Sequence, residues 1–252
     1  MICALLKDRK IGYTCSHMDT AELSEKKTTE LCTHLQEFVT PARLSRIKEV
    51  LANRTRYLTV VLEDIYQPHN ASAVLRTCDA TGVQDVHIIE NRNSHTLSPG
   101  VELGTSQWLT RHRYRESADN TAAAVQQLRQ RGYRIVATTP HRDDVTPEHF
   151  NLEKGPAALL FGTEISGLSE TALELADEYI RIPMYGFVES YNISVSAAII
   201  LTRLVERLRC SDLDYLLSEH ERRSLLLQYL RNSIKHVDKL EERFFSAYTD
   251  TT

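Results

Sequence analysis

Ile182–Leu204 reads IPMYGFVESYNISVSAAIILTRL. It leaves a strand at Ile182 and ends as an apolar helix. Between the two stand Glu189, Ser190, Asn192, Ser194 and Ser196. Open parallel sheets bind ligands at the carboxyl ends of their strands, so a polar cluster at such an end marks a candidate site. By itself the cluster fits better a core helix whose N-cap is Asn192.

Upstream, the chain predicts the rest of a sheet. YLTVVLEDI, DVHIIE, RIVATTP, AALLFG and IRIP are β-branched or apolar runs, read as buried strands. Pro140 stops the third of them. NASAVLRTCDATGV predicts a helix capped by Asn70 and stopped by Gly82. SADNTAAAVQQLRQRGY predicts another, ending at Gly132, and SETALELADEY a short one. Strands alternating with helices, apolar on both faces, predict an α/β fold with a largely parallel sheet. Before the sheet, TAELSEKKTTELCTHLQEFV reads as a polar helix. Thr40 and Pro41 open a second, with Leu44, Ile47, Val50 and Leu51 at helical spacing. After Cys210 two amphipathic helices follow. The expected division is a helical N-terminal extension (1–56), an α/β domain (57–208) and a helical C-terminal extension (209–252).

Composition narrows the function. The 252 residues are 42% hydrophobic and 25% charged, enough for a packed core. No run approaches the roughly 18–20 apolar residues of a membrane span, and MICALLKDRK is too short an apolar start for a secretory signal. The five cysteines, Cys3, Cys15, Cys32, Cys78 and Cys210, form no CxxC pair. No His/Cys spacing matches a zinc site, so no metal is expected. A cytoplasmic protein with reduced thiols follows from these readings. The net charge of -4 argues against a broad cationic surface. Residues 1–57 nevertheless hold 10 Lys/Arg against 7 Asp/Glu, and RHRYR concentrates Arg111, Arg113 and Arg115. Both segments fit a polyanion-binding patch or a plain solvated face.

GTEISG has the glycine spacing of a phosphate loop, but Leu168-Ser169 stands where Lys-Ser/Thr is required. No GxGxxG occurs. Glu164, between Gly162 and Gly167, is a carboxylate at a strand end, which reads as solvated or as functional.

Three segments together carry a family resemblance. LEDIYQPHNASAVLRTCDATGV, LLFGTEISGLS and IPMYGFVESYNISVSAAIILTRL resemble, in order and spacing, the three motifs of the SPOUT superfamily of RNA methyltransferases, in its TrmH (SpoU) branch. The likeness spans about residues 40–208. TPARLSRIKEVLANRTRYLTVVLEDIYQPHN further resembles the bacterial enzymes that methylate the ribose of guanosine-18 in the tRNA D-loop. The resemblance implies a SPOUT fold with a deep C-terminal trefoil knot, S-adenosylmethionine as cofactor, RNA (tRNA) as partner and a homodimer. ELGTSQW (Glu102–Trp108) resembles a family segment near the substrate.

Carried over by motif, the resemblance implies Arg76, Asn70, Glu164, Ser190 and Asn192 as catalytic residues. It implies Thr139, Gly162, Ile182, Met184, Gly186, Asn192 and Ile193 as cofactor contacts. Arg76 corresponds to the family's main catalytic residue, read as base or as clamp. A guanidinium keeps its proton in proteins, which favours a phosphate clamp. Glu189 departs from the small or amide residue of relatives. Other readings are a ribosomal-RNA or different tRNA ribose substrate, a nonenzymatic RNA-binding knot, and a small-molecule α/β enzyme.

Overall fold

The computed structural model describes residues 23–94, 104–117, 119–140, 145–164 and 166–249. The strands are β1 (Leu58–Glu63), β2 (Asp85–Ile89), β3 (Thr110–Tyr114), β4 (Arg134–Thr138), β5 (Ala157–Phe161) and β6 (Glu178–Ile180). The helices are α1 (Glu25–Gln36), α2 (Pro41–Ala52), α3 (Pro68–Thr81), α4 (Asn120–Gln130), α5 (Glu170–Glu174), α6 (Ile193–Arg209), α7 (Glu219–Ser233) and α8 (Val237–Thr249). The expectations for residues 1–22 and for Glu102 lie outside the described residues.

All six strands form one sheet in the order β3-β2-β1-β5-β4-β6. Every pairing is parallel. Alternation along β1 splits the core. Leu58, Val60 and Leu62 pack with Val74, Leu75 and Cys78 of α3 and with Ala197, Ile200 and Leu204 of α6. Val61 faces the other way, among Ala124, Val125 and Leu128 of α4 and Ala172 of α5. Helices therefore cover both faces, which is why β1 and β5 are buried at every residue. Leu204 is fully buried, and truncating it to alanine would cost about 2–5 kcal/mol.

The sequence reading needs two corrections and one addition. The addition is edge strand β3, which takes in Arg111–Tyr114 of RHRYR, with Arg111 and Arg113 pointing to solvent and Tyr114 buried. The last strand is Glu178–Ile180 rather than IRIP. Beyond Ile180 the partner changes: Thr139 N still donates to Ile180 O at 3.2 Å, but Arg181 N donates to Val145 O at 3.0 Å. Finally, α3 starts at Pro68 with Gln67 as N-cap, so Asn70 lies inside the first turn and does not cap it. Proline at the first helical position sets that start. Gly82 ends α3 as expected, at φ 88°.

The described residues divide into two compact units, one within 45–222 and the other within 1–44 and 223–252. Residues 45–56 and 209–222 both lie in the unit within 45–222. Thr55 explains the first: its N donates to Gly82 O at 2.9 Å, its O accepts from Gln84 N at 3.0 Å, and its hydroxyl donates to Tyr215 O. The smaller unit buries Leu31, Leu35, Leu225, Leu227 and Tyr229. Within it Arg231 forks onto Glu241 at 2.7 and 3.2 Å, both buried. No helix among the described residues is long and apolar enough to cross a membrane.

Candidate active site

Three segments meet at the carboxyl end of the sheet. The first follows β1. Asp64, at φ 52°, accepts backbone N–H bonds from Asn91, Arg92 and Asn93 at 2.7, 2.8 and 3.3 Å. That pins the turn leading into α3. One turn into the helix, the buried Asn70 donates to Gln67 Oε1 at 3.1 Å and to Glu164 Oε1.

The second segment, between β5 and α5, carries Glu164. Thr163 N donates to Gly167 O at 2.9 Å and Gly167 N to Thr163 O at 3.1 Å, closing the loop on itself. A Cβ on Gly162 would lie 2.1 Å from Gly167 C. Only glycine fits a backbone crossing that close. Glu164 itself is exposed.

Asn192 arrives on the third segment. Its Oδ1 accepts from Ser194 N at 2.9 Å and Ser194 Oγ at 2.7 Å, so it caps α6 as expected. Its Nδ2 donates to Asn70 Oδ1 at 3.2 Å. Asn70, Glu164 and Asn192 are thereby brought into one hydrogen-bonded group. Arg76 is exposed on α3, six residues beyond Asn70, a rise of about 9 Å.

Beside this group lies a cavity of about 60 Å³, lined by Thr138, Thr139, Pro140, Ile180, Arg181, Ile182, Met184, Glu189, Ser190, Tyr191, Ser196 and Ile200. Four expected residues, Thr139, Ile182, Met184 and Ser190, line it together. Gly162, Gly186, Asn192 and Ile193 are not among its lining residues. Gly162 packs on Gly167, Gly186 is exposed, Asn192 turns to Asn70, and Ile193 is buried in the core. Tyr191, Ser196 and Ile200 were missed, although the helical spacing of Ser196 and Ile200 puts them on one face of α6.

The expected RNA contacts separate. Arg113 forks onto Glu90 at 2.8 and 3.0 Å. Arg111 and Arg115 are exposed.

A second polar group sits toward the amino end of β2. Ligand-type atoms of Asp85, His87 and His112 lie within 4.8 Å of one another. Asp85 already receives Arg56 Nε at 3.0 Å and faces His112 Nε2 at 3.3 Å. The two imidazoles stack with centroids 4.5 Å apart, so their lone pairs do not converge on one point. Burial alone would push the Asp85 carboxyl up; the His112 hydrogen bond and Arg56 outweigh it and hold the group below its usual range. Burial, joined by the charges of His112 and Arg131, pushes His87 down to about 3. The arrangement is a charge network tying β2 and β3 to Arg56.

Comparison with known proteins adds to this geometry. A model of the SpoU rRNA Methylase family matches residues 57–202. A tRNA (guanosine(18)-2'-O)-methyltransferase of Borreliella burgdorferi is 46% identical over 211 residues, 82% of this chain and 93% of the relative. The crystal structure of the A. aeolicus TrmH/SpoU tRNA modifying enzyme superposes with a TM-score of 0.67 at 30% identity, covering 80% of this chain and 98% of that one. The SpoU methyltransferase AviRb from Streptomyces viridochromogenes, in complex with AdoMet, matches at 26% identity and a TM-score of 0.50, over 65% of this chain and 62% of that one.

Proposed function

The chain belongs to the SpoU rRNA Methylase family, and from that premise we infer that it transfers a methyl group from S-adenosylmethionine to a ribose 2'-hydroxyl of tRNA, at guanosine-18. The observation that carries the reading is the contact among Asn70, Glu164 and Asn192. Each comes from a different motif, and the partners of Asn70 lie 94 and 122 positions away.

The cavity suits the cofactor chemically. Ile182, Met184 and Ile200 give apolar walls for an adenine ring, and Thr139 and Ser190 give polar edges. Glu189 supplies a carboxylate for a positively charged ligand. The cavity's 60 Å³ is smaller than the cofactor, and its whole empty volume, open to solvent, is about 360 Å³. When bound, the cofactor supplies a methyl group on a sulfonium, a good leaving group. Thr139, Ile182, Met184 and Ser190 hold it, and the closed loop at Gly162 keeps backbone close.

Alignment of the 2'-oxygen with the methyl carbon is then the protein's main task. Arg76 clamps a tRNA phosphate through its planar fork and fixes the nucleotide. Glu164, held by Asn70, presents a carboxylate at the ribose. The proton passes to water or to a phosphate oxygen.

Further parts of the reading concern assembly. The chain forms a C-terminal trefoil knot and pairs as a homodimer beside it, working in the cytoplasm without metal. Tyr185, Phe187 and Val188 stand 96%, 108% and 64% exposed, with Tyr191 and Val195 nearby also exposed. An apolar run of this kind marks a protein interface. Solution scattering should give the mass of a dimer; a monomer at micromolar concentration contradicts the pairing.

Mass spectrometry of nuclease-digested tRNA tests the reaction. Unmodified tRNA incubated with protein and S-adenosylmethionine should gain one methyl at the ribose of guanosine-18. A methyl group on a base, or at another ribose, contradicts the assignment.

A further inference from the structure

Glu63, the last residue of β1, is 2% exposed, and its hydrogen-bond partners among the described residues are two hydroxyls and a backbone N–H rather than a cation. Its Oε1 accepts from Thr121 Oγ1 at 2.5 Å and from Ser169 Oγ at 2.7 Å; its Oε2 accepts from Ser169 N at 2.8 Å. Burying a carboxylate is costly unless donors satisfy it, and short charge-assisted bonds of this kind are strong.

We propose that Glu63 is a positioning residue for methyl transfer: by clasping Ser169 it fixes the loop that brings Glu164 to Asn70. The proposal rests on the reading of Asn70 and Glu164 as the reaction centre. The Glu164 loop has two anchors. One is Phe161, in the buried strand β5. Between these anchors Thr163 and Gly167 exchange two backbone hydrogen bonds, and Gly162 packs on Gly167. The other anchor is Ser169, gripped through both its N–H and its hydroxyl. Glu63 also stands one residue before Asp64, whose carboxylate pins the turn into Asn70. Two consecutive residues, Glu63 and Asp64, thus set the two sides of the Asn70–Glu164 contact. Geometry also dictates the residue type. A backbone N–H and two hydroxyls converge on it, and an ionised carboxylate accepts from all three at once. Glutamine offers one oxygen and turns an amide donor toward the rest.

Three variants test the idea in the full-length protein: Glu63→Gln, Ser169→Ala and Thr121→Val. The last two each remove one hydroxyl bond to the same Oε1, but only Ser169 belongs to the loop. Glu63→Gln and Ser169→Ala should lower kcat roughly 10- to 100-fold, as small misplacements do, with KM for S-adenosylmethionine and for tRNA within about twofold. Thr121→Val should lose melting temperature and keep kcat. A purely structural Glu63 would instead give all three variants kcat losses in proportion to their loss of stability, and that result overturns the proposal. So does an unchanged kcat in Glu63→Gln. Wild-type protein and Asn70→Ala are run alongside. Absent transfer by wild type, or full transfer by Asn70→Ala, overturns the reaction-centre reading, separately from Glu63.

Discussion

Asn192 donates its side-chain amide to the side-chain oxygen of Asn70 at 3.2 Å, while the Asn70 amide donates to Glu164. Asn70 is therefore used as both donor and acceptor, an arrangement no other residue type of that size reproduces. Aspartate would place a second carboxylate against Glu164. Asn70→Asp should lower single-turnover methyl transfer at least about 100-fold, and Asn70→Ala by a similar factor. Rapid-quench measurement at saturating cofactor checks this; turnover within about threefold of wild type contradicts the role.

Arg76 is assigned to the nucleotide rather than to the cofactor. Arg76→Ala should remove most turnover and leave S-adenosylmethionine affinity, by calorimetry, within about twofold. Arg76→Lys should recover little, since lysine offers a point charge in place of a planar fork. Near-normal turnover by Arg76→Ala would remove it from the mechanism.

Acid stability should carry the signature of His87. Its folded pKa is pushed to about 3 by burial, against about 6.5 in an unfolded chain. Between these values the unfolded state binds one more proton, so stability rises with pH, by about 1.4 kcal/mol per unit. Lowering the pH from 6.5 to 5 should cost about 2 kcal/mol. Urea melts of wild type and His87→Gln compare directly: the difference between them should shrink across that range. Parallel pH dependences would show that His87 takes up its proton freely in the folded state.

RNA affinity should depend on Arg111 and Arg115 more than on Arg113, which is already forked onto Glu90. Replacing Arg111 and Arg115 together with alanine should weaken tRNA binding and flatten its salt dependence by up to about two phosphate contacts. Arg113→Ala should change that slope less. An unaltered slope in the double variant returns the edge strand to plain solvated surface.

Much of the fold was legible because its signals are local. The apolar runs of β1 and β5, the Gly82 stop of α3 and the Asn192 cap of α6 each need only a few neighbouring residues. What was not read depends on distant partners. That RHRYR runs as a strand follows only once β2 pairs with it and buries Tyr114. Glu63 lay unremarked within a quoted motif, because its donors Thr121 and Ser169 stand 58 and 106 positions away. The Asn70 cap was a local error: Pro68 already marked an earlier helix start. Motif correspondence supplied candidate site residues, but not which of them share a cavity, since that depends on how the segment after β6 folds back.

The most direct measurement uses two tRNA molecules that differ by one oxygen. One carries an ordinary ribose at guanosine-18, the other a 2'-deoxyribose there. With labelled S-adenosylmethionine, the first should take up one methyl group per molecule and the second none, while both bind the protein equally. Methyl incorporation into the 2'-deoxy molecule would place the reaction on another atom and contradict the account.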